Sequence, residues 1–100
     1  MVEVPVLNIV APLEVCSNNN DGFAIFNLIP TMIEVTENPV PSDLQITYHE
    51  TLADANENVN RILNIGAYQN IVVNNQTIYV RVTRINSNCY AAMPIDLIVN

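Results

Sequence analysis

Cys16 and Cys89 are the residues whose type most directly offers chemistry, and the chemistry open to two thiols is oxidation to a disulfide. Both flank polar, asparagine-containing loops rather than lying inside apolar runs, which favours pairing in an oxidising compartment. The competing reading is two buried free thiols in a reducing compartment. A bridge between the two would close a loop long enough to stabilise the fold by about 4 kcal/mol on chain-entropy grounds. A zinc site is not expected, because no C-x-x-C spacing occurs and His49, the one histidine, is distant from both cysteines in sequence.

Oxygen ligands offer a second chemistry. The stretch Ser17-Asn18-Asn19-Asn20-Asp21-Gly22 places amide and carboxylate oxygens at alternating positions before a glycine. That pattern makes Asn18, Asn20 and Asp21 candidate calcium ligands, with Asp54 as a further one if its segment folds beside this loop. The plainer reading is a turn in which Gly22 supplies a positive φ. An EF-hand loop would carry more carboxylates and a glutamate at its twelfth position. Glu50, Asp54 and Glu57 form a carboxylate cluster, and paired acids are what glycoside hydrolysis needs. A solvated helix face accounts for them more simply. No serine or cysteine nucleophile stands at a spacing that would use His49, which reads as a solvent-facing strand residue. With no phosphate-binding glycine loop either, the chain is not expected to be an enzyme or to hold a cofactor other than the candidate calcium.

Composition narrows the partners. The 100 residues carry ten acids against three arginines and no lysine, a formal charge of -7. Phosphate contacts need clustered basic residues, so nucleic acid and polybasic membrane binding are excluded. No run of apolar residues is long enough to insert in a membrane. The N-terminal Met1-Val2-Glu3-Val4-Pro5 lacks a basic and a long apolar region, so an exported chain is expected to take its signal from elsewhere in a longer precursor. Half of the residues are hydrophobic, enough for one core, and residues 1–100 read as a single domain. Sixteen asparagines stand beside only two glycines, and asparagine tolerates the left-handed backbone that turns require.

These residues are positioned by short strands. Ile78, Val80 and Val82 alternate with Tyr79, Arg81 and Thr83, so residues 76–85 read as the central strand, entered by a turn at Asn74-Asn75. Ile95, Leu97 and Val99 mark a last strand antiparallel to it. Leu44, Ile46 and Tyr48 form the core face of another. Residues 13–16 make a short strand, 23–29 a buried strand, and 61–73 one or two short strands or an irregular connection across the sandwich. An apolar segment over residues 4–10, carrying Pro5, reads as an edge strand. Pro30-Thr31 opens a short helix with Glu34 as capping-box partner and Met32, Ile33 and Val35 facing the core. Thr51 caps a second short helix, with Asp54 in its first turn. Pro39 and Pro41 force an extended connector between the first helix and the next strand. The pattern predicts an all-β fold with one or two short helices, an immunoglobulin-like antiparallel β-sandwich.

The segments Asn20-Asp21-Gly22-Phe23-Ala24, Ile46-Thr47-Tyr48-His49-Glu50-Thr51, Tyr68-Gln69-Asn70 and Gln76 to Val82, set between Cys16 and Cys89, resemble the Ig-like repeat module of very large surface proteins of Bacteroidota. These are flavobacterial adhesin-like proteins exported by type IX secretion, many associated with gliding motility. The resemblance implies an extracellular, tandemly repeated, non-catalytic module whose partners are neighbouring repeats of the same chain or other copies. Two further functions follow from the residues. One is carbohydrate binding to surface glycans through Tyr48, Tyr68, Tyr79 and Tyr90. The other is a filament subunit that donates residues 2–10 as a strand.

Overall fold

The computed structural model describes residues 8–17, 21–36, 43–85, 87 and 89–100. The expected strand over residues 4–10 and the connector at Pro39 and Pro41 lie largely or wholly outside them.

β5 (Asn75–Arg84) holds the fold together. It pairs antiparallel with β6 (Tyr90–Val99) on one side and with β3 (Leu44–His49) on the other. β1 (Leu13–Val15) then adds to the free edge of β6 in parallel, giving a four-stranded sheet in the order β1-β6-β5-β3. A second, two-stranded antiparallel sheet joins β2 (Ile25–Phe26) to β4 (Tyr68–Gln69). With β3-β5-β6 in one layer and β2-β4 in the other, the strand order matches that of an immunoglobulin-type sandwich. The fold is all-β and sandwich-like, with one parallel strand pair that the sequence pattern did not indicate.

The core lies where alternation placed it. Ile78, Val80 and Val82 of β5 pack with Tyr48 of β3, Ile95, Leu97 and Val99 of β6, and Phe26 and Tyr68 of the small sheet. A period-two strand turns every second side chain inward, so these residues share one face. The expected 23–29 strand is shorter than the pattern implied, and Ile25 turns its side chain outward, 54% exposed.

Two short helices close the sandwich. α1 (Ile29–Val35) carries Pro30 in its first turn, where a missing N–H costs nothing. The expected capping box does not form: the N-cap is Leu28, and Thr31 is buried, donating its hydroxyl to Leu28 O at 2.6 Å. The Thr31 hydroxyl also meets that of Tyr48. Val35 is buried, but Ile33 faces outward. α2 (Leu52–Glu57) forms as its sequence predicts, with Thr51 Oγ1 accepting the Asp54 N–H at 3.1 Å. Asn58, Asn60 and Asn74 all take positive φ, the left-handed positions for which asparagine was read as the substitute for glycine.

Burial pushes the Tyr48 hydroxyl up to about 12, outweighing its bond to Thr31. Burial, reinforced by Glu50, does the same for Tyr68, up to about 12. A raised folded value favours the protonated phenol, so this stabilisation is complete below the unfolded value near 10 and is lost as pH rises through 12. Thermal melts between these limits should show a steep alkaline fall in Tm, shallower in Tyr48→Phe; a melting temperature flat across the interval would contradict the burial argument.

Candidate functional site

Two poles of the sheet carry the chemistry-bearing residues. β1 and β6 run in the same direction, with Leu13, Glu14 and Val15 opposite Leu97, Ile98 and Val99. The ladder continues one rung further: Asn100 donates its N–H to Val15 O, and Ser17 donates to Asn100 O, each at 2.9 Å. Cys16 therefore sits beside Asn100, at the end of β6. Cys89 sits at its beginning, in the β5–β6 turn, where its carbonyl accepts the Arg84 N–H at 2.7 Å. Ten extended residues lie between the two positions, a separation on the order of 35 Å. A disulfide needs Cα atoms within about 7 Å. The expected bridge between Cys16 and Cys89 of one chain is thus corrected by the parallel β1–β6 pairing. Both are free thiols, Cys16 exposed and Cys89 partly exposed.

The Cys16 pole is a built surface. Gln76 is buried, and its Oε1 accepts the N–H groups of Ile71 and Val72 at 2.6 and 3.0 Å, while its Nε2 donates to Tyr68 Oη at 2.8 Å. Asn70, also buried, donates Nδ2 to Gly22 O and Val72 O and accepts the Ala24 N–H. These two amides fix a tip whose aliphatic side chains face solvent: Ile71, Val72 and Val73 are 63%, 51% and 49% exposed. Within the segment expected to hold short strands or an irregular connection, this tip is loop. Beside it, Cys16 borders an open pocket of about 340 Å³ that includes Val15, Phe23 and Gln69. Gly22, at φ +82, lies against the tip, and a Cβ there would collide with the Val73 side chain and Asn74 Oδ1. Gly22→Ala is expected to destabilise by about 2 kcal/mol or more from the left-handed backbone and the clash. Urea titration checks this; a loss below about 0.5 kcal/mol would mean that the tip yields freely.

The candidate calcium ligands are not brought together. Asp21 is bound within its own loop: its Oδ1 accepts from the Phe23 N–H and the Ser17 hydroxyl, both at 3.0 Å, and these bonds, Phe23 first, hold its carboxyl below the usual carboxylate range. Asp54 stands on α2, where its carboxylate accepts from Asn60 Nδ2 at 3.4 Å. α2 docks at Arg81, six residues along β5 from the Asn75 end where Asp21 lies. Asn18 and Asn20 lie outside the described residues. Among those described, no three His, Cys, Asp or Glu side chains gather into a metal-binding group.

His49 corrects a second expectation. It is completely buried because α2 covers the outer face of β3 and β5. Its Nδ1 donates to Val59 O at 2.8 Å, and Nε2 bonds Thr47 Oγ1 at 2.9 Å. Arg81, 7% exposed, lies under the same helix. Its Nη1 reaches Ala55 O and Asn56 O at 2.8 and 3.1 Å, Nε reaches Thr83 Oγ1 at 2.9 Å, and the guanidinium stacks on Tyr90 at 3.8 Å. The carboxylate cluster is divided: Glu50 accepts the Tyr68 hydroxyl at 2.6 Å, Asp54 accepts from Asn60, and Glu57 is exposed at the end of α2. Of the four candidate sugar-stacking tyrosines, Tyr48 and Tyr68 belong to the core, and Tyr90 is engaged by Arg81.

No curated protein sequence and no solved structure matches the chain. A family model described as the Flavobacterium inter-domain disulphide bond domain matches residues 12–100. That span holds both cysteines and, among the described residues, every strand and both helices, and its description agrees with thiols too far apart to meet within one module. The chain belongs to the Flavobacterium inter-domain disulphide bond domain family.

Proposed function

We propose that this chain is a non-catalytic structural repeat of a large flavobacterial cell-surface protein, exported by type IX secretion and serving in adhesion or gliding. The observation that carries the reading is the pair of accessible thiols at opposite poles, in a family named for disulfides between domains. Such bonds persist in oxidising surroundings, which supports a location outside the cytoplasm. The sealed His49 and the Glu50 and Asp54 carboxylates held in hydrogen bonds support a role in spacing rather than catalysis. Neighbouring domains are the partners, and the acidic surface keeps unlinked copies soluble.

Labelling of intact flavobacterial cells with an antibody against this chain tests the location. Labelling without permeabilisation is expected. Signal only after permeabilisation would overturn the surface assignment.

A further inference from the structure

We infer that in a tandem array the disulfide has one polarity: Cys16 of each module pairs with Cys89 of the module that follows it. The inference rests on the inter-domain reading above and adds which thiol meets which.

Chain direction carries it. β6 ends beside Cys16, so a chain continuing past Asn100 leaves from the Cys16 pole. β1 is parallel to β6, so the residues before β1 come from the side where β6 begins, the Cys89 side. Asn8 is held there by α1, donating its N–H to Val35 O at 2.8 Å and Nδ2 to Thr36 O at 2.9 Å. The exit of one module and the entrance of the next therefore place the upstream Cys16 pole against the downstream Cys89 pole. Poles brought together by chain direction raise the effective concentration of one thiol about the other. The opposite pairing, upstream Cys89 with downstream Cys16, would have to span two sheet lengths.

Apolar surface matches this contact. The upstream pole offers the fixed tip Ile71-Val72-Val73, whose Val73 lies against Gly22 at the same end of the sheet as Cys16. The downstream pole offers Ile85, 54% exposed in the same turn as Cys89. The occupant of the tip is thus the following copy of the module.

Bond formation balances with a disulfide oxidant. The Cys16 thiolate attacks one sulfur of glutathione disulfide, forming a mixed disulfide and releasing one glutathione thiolate. The downstream Cys89 thiolate displaces the second. Two protein thiols lose two electrons and two protons, and one glutathione disulfide becomes two glutathione thiols.

The test is a two-copy tandem of this chain, oxidised with glutathione disulfide at low concentration, with inter-copy bridges found by peptide mass mapping before and after reduction. Cys16→Ser in the first copy is expected to abolish the bridge, as is Cys89→Ser in the second. Cys16→Ser in the second copy or Cys89→Ser in the first should leave it intact. The reverse dependence would overturn the polarity while leaving an inter-domain bond standing. A tandem that forms no inter-copy bridge would overturn both the polarity and the reading on which it rests.

Discussion

Pulled from its ends under oxidising conditions, a tandem array of this module should lengthen very little when one module unfolds. With Cys16 bonded to the following Cys89, two covalent routes cross every module. One is residues 1–16 and the other is residues 89–100, and each is joined to its neighbours at both poles. β1 and β6, which lie on these routes, are hydrogen-bonded side by side. Residues 17–88 are bypassed by both. The shorter route contains β6, already extended across ten residues, so unfolding releases on the order of 10 Å along it. After reduction the entire chain lies on the only route, and each event should release roughly 300 Å. Single-molecule stretching of the same array with and without reductant reads this directly. Equal, full-length steps in both conditions would contradict the pairing. The arrangement would suit a surface fibre that must hold its length under load, because tension runs through two strands and spares the rest of the sandwich.

Arg81→Ala is expected to loosen α2 and lower the stability of the fold severely for a polar residue. It removes the charged donor shared by Ala55 O, Asn56 O and Thr83 Oγ1 beneath α2, leaving Ala55 O with the Asn58 N–H alone, and it strips the aromatic face of Tyr90. Hydrogen bonds to a charged group contribute about 1.5–3 kcal/mol each, so a total of about 3 kcal/mol is expected after partial relaxation. For a domain of this size that lowers Tm on the order of 15 °C. Arg81→Lys keeps the charge but loses the planar fork that reaches two carbonyls and a hydroxyl together, and it should fall between the two. Thermal melts rank the three proteins, and amide exchange should rise first in residues 52–57. A Tm within a few degrees of the parent would show that α2 is held by something other than this guanidinium.

The parts of the fold legible in the sequence are those set by local rules. Alternation at Ile78, Val80 and Val82 fixed the inward face of β5, and Thr51 announced the start of α2. The parallel β1 was not legible, because three residues carry no signal of strand direction. Everything said about the cysteines turned on that direction. Loop polarity around Cys16 and Cys89 indicated pairing but could not say that a full strand separates them. His49 and Arg81 were misread or overlooked for a related reason. A period of two shows which side chains share a face, not whether a helix later covers it. The composition of Ile71-Val72-Val73 leaves strand and irregular connection both open, and the amides of Asn70 and Gln76 decide it by taking the backbone bonds and holding the tip as loop.

The central claim is that each thiol belongs to a different junction. Its most direct measurement is the mass of the single, monomeric chain after dilute oxidation and alkylation. The pole-to-pole separation predicts that no monomer carries an internal bridge, so both cysteines stay open to alkylation once glutathione adducts are excluded. A folded monomer lighter by two hydrogens, with neither cysteine alkylated, would place Cys16 and Cys89 together and contradict the account.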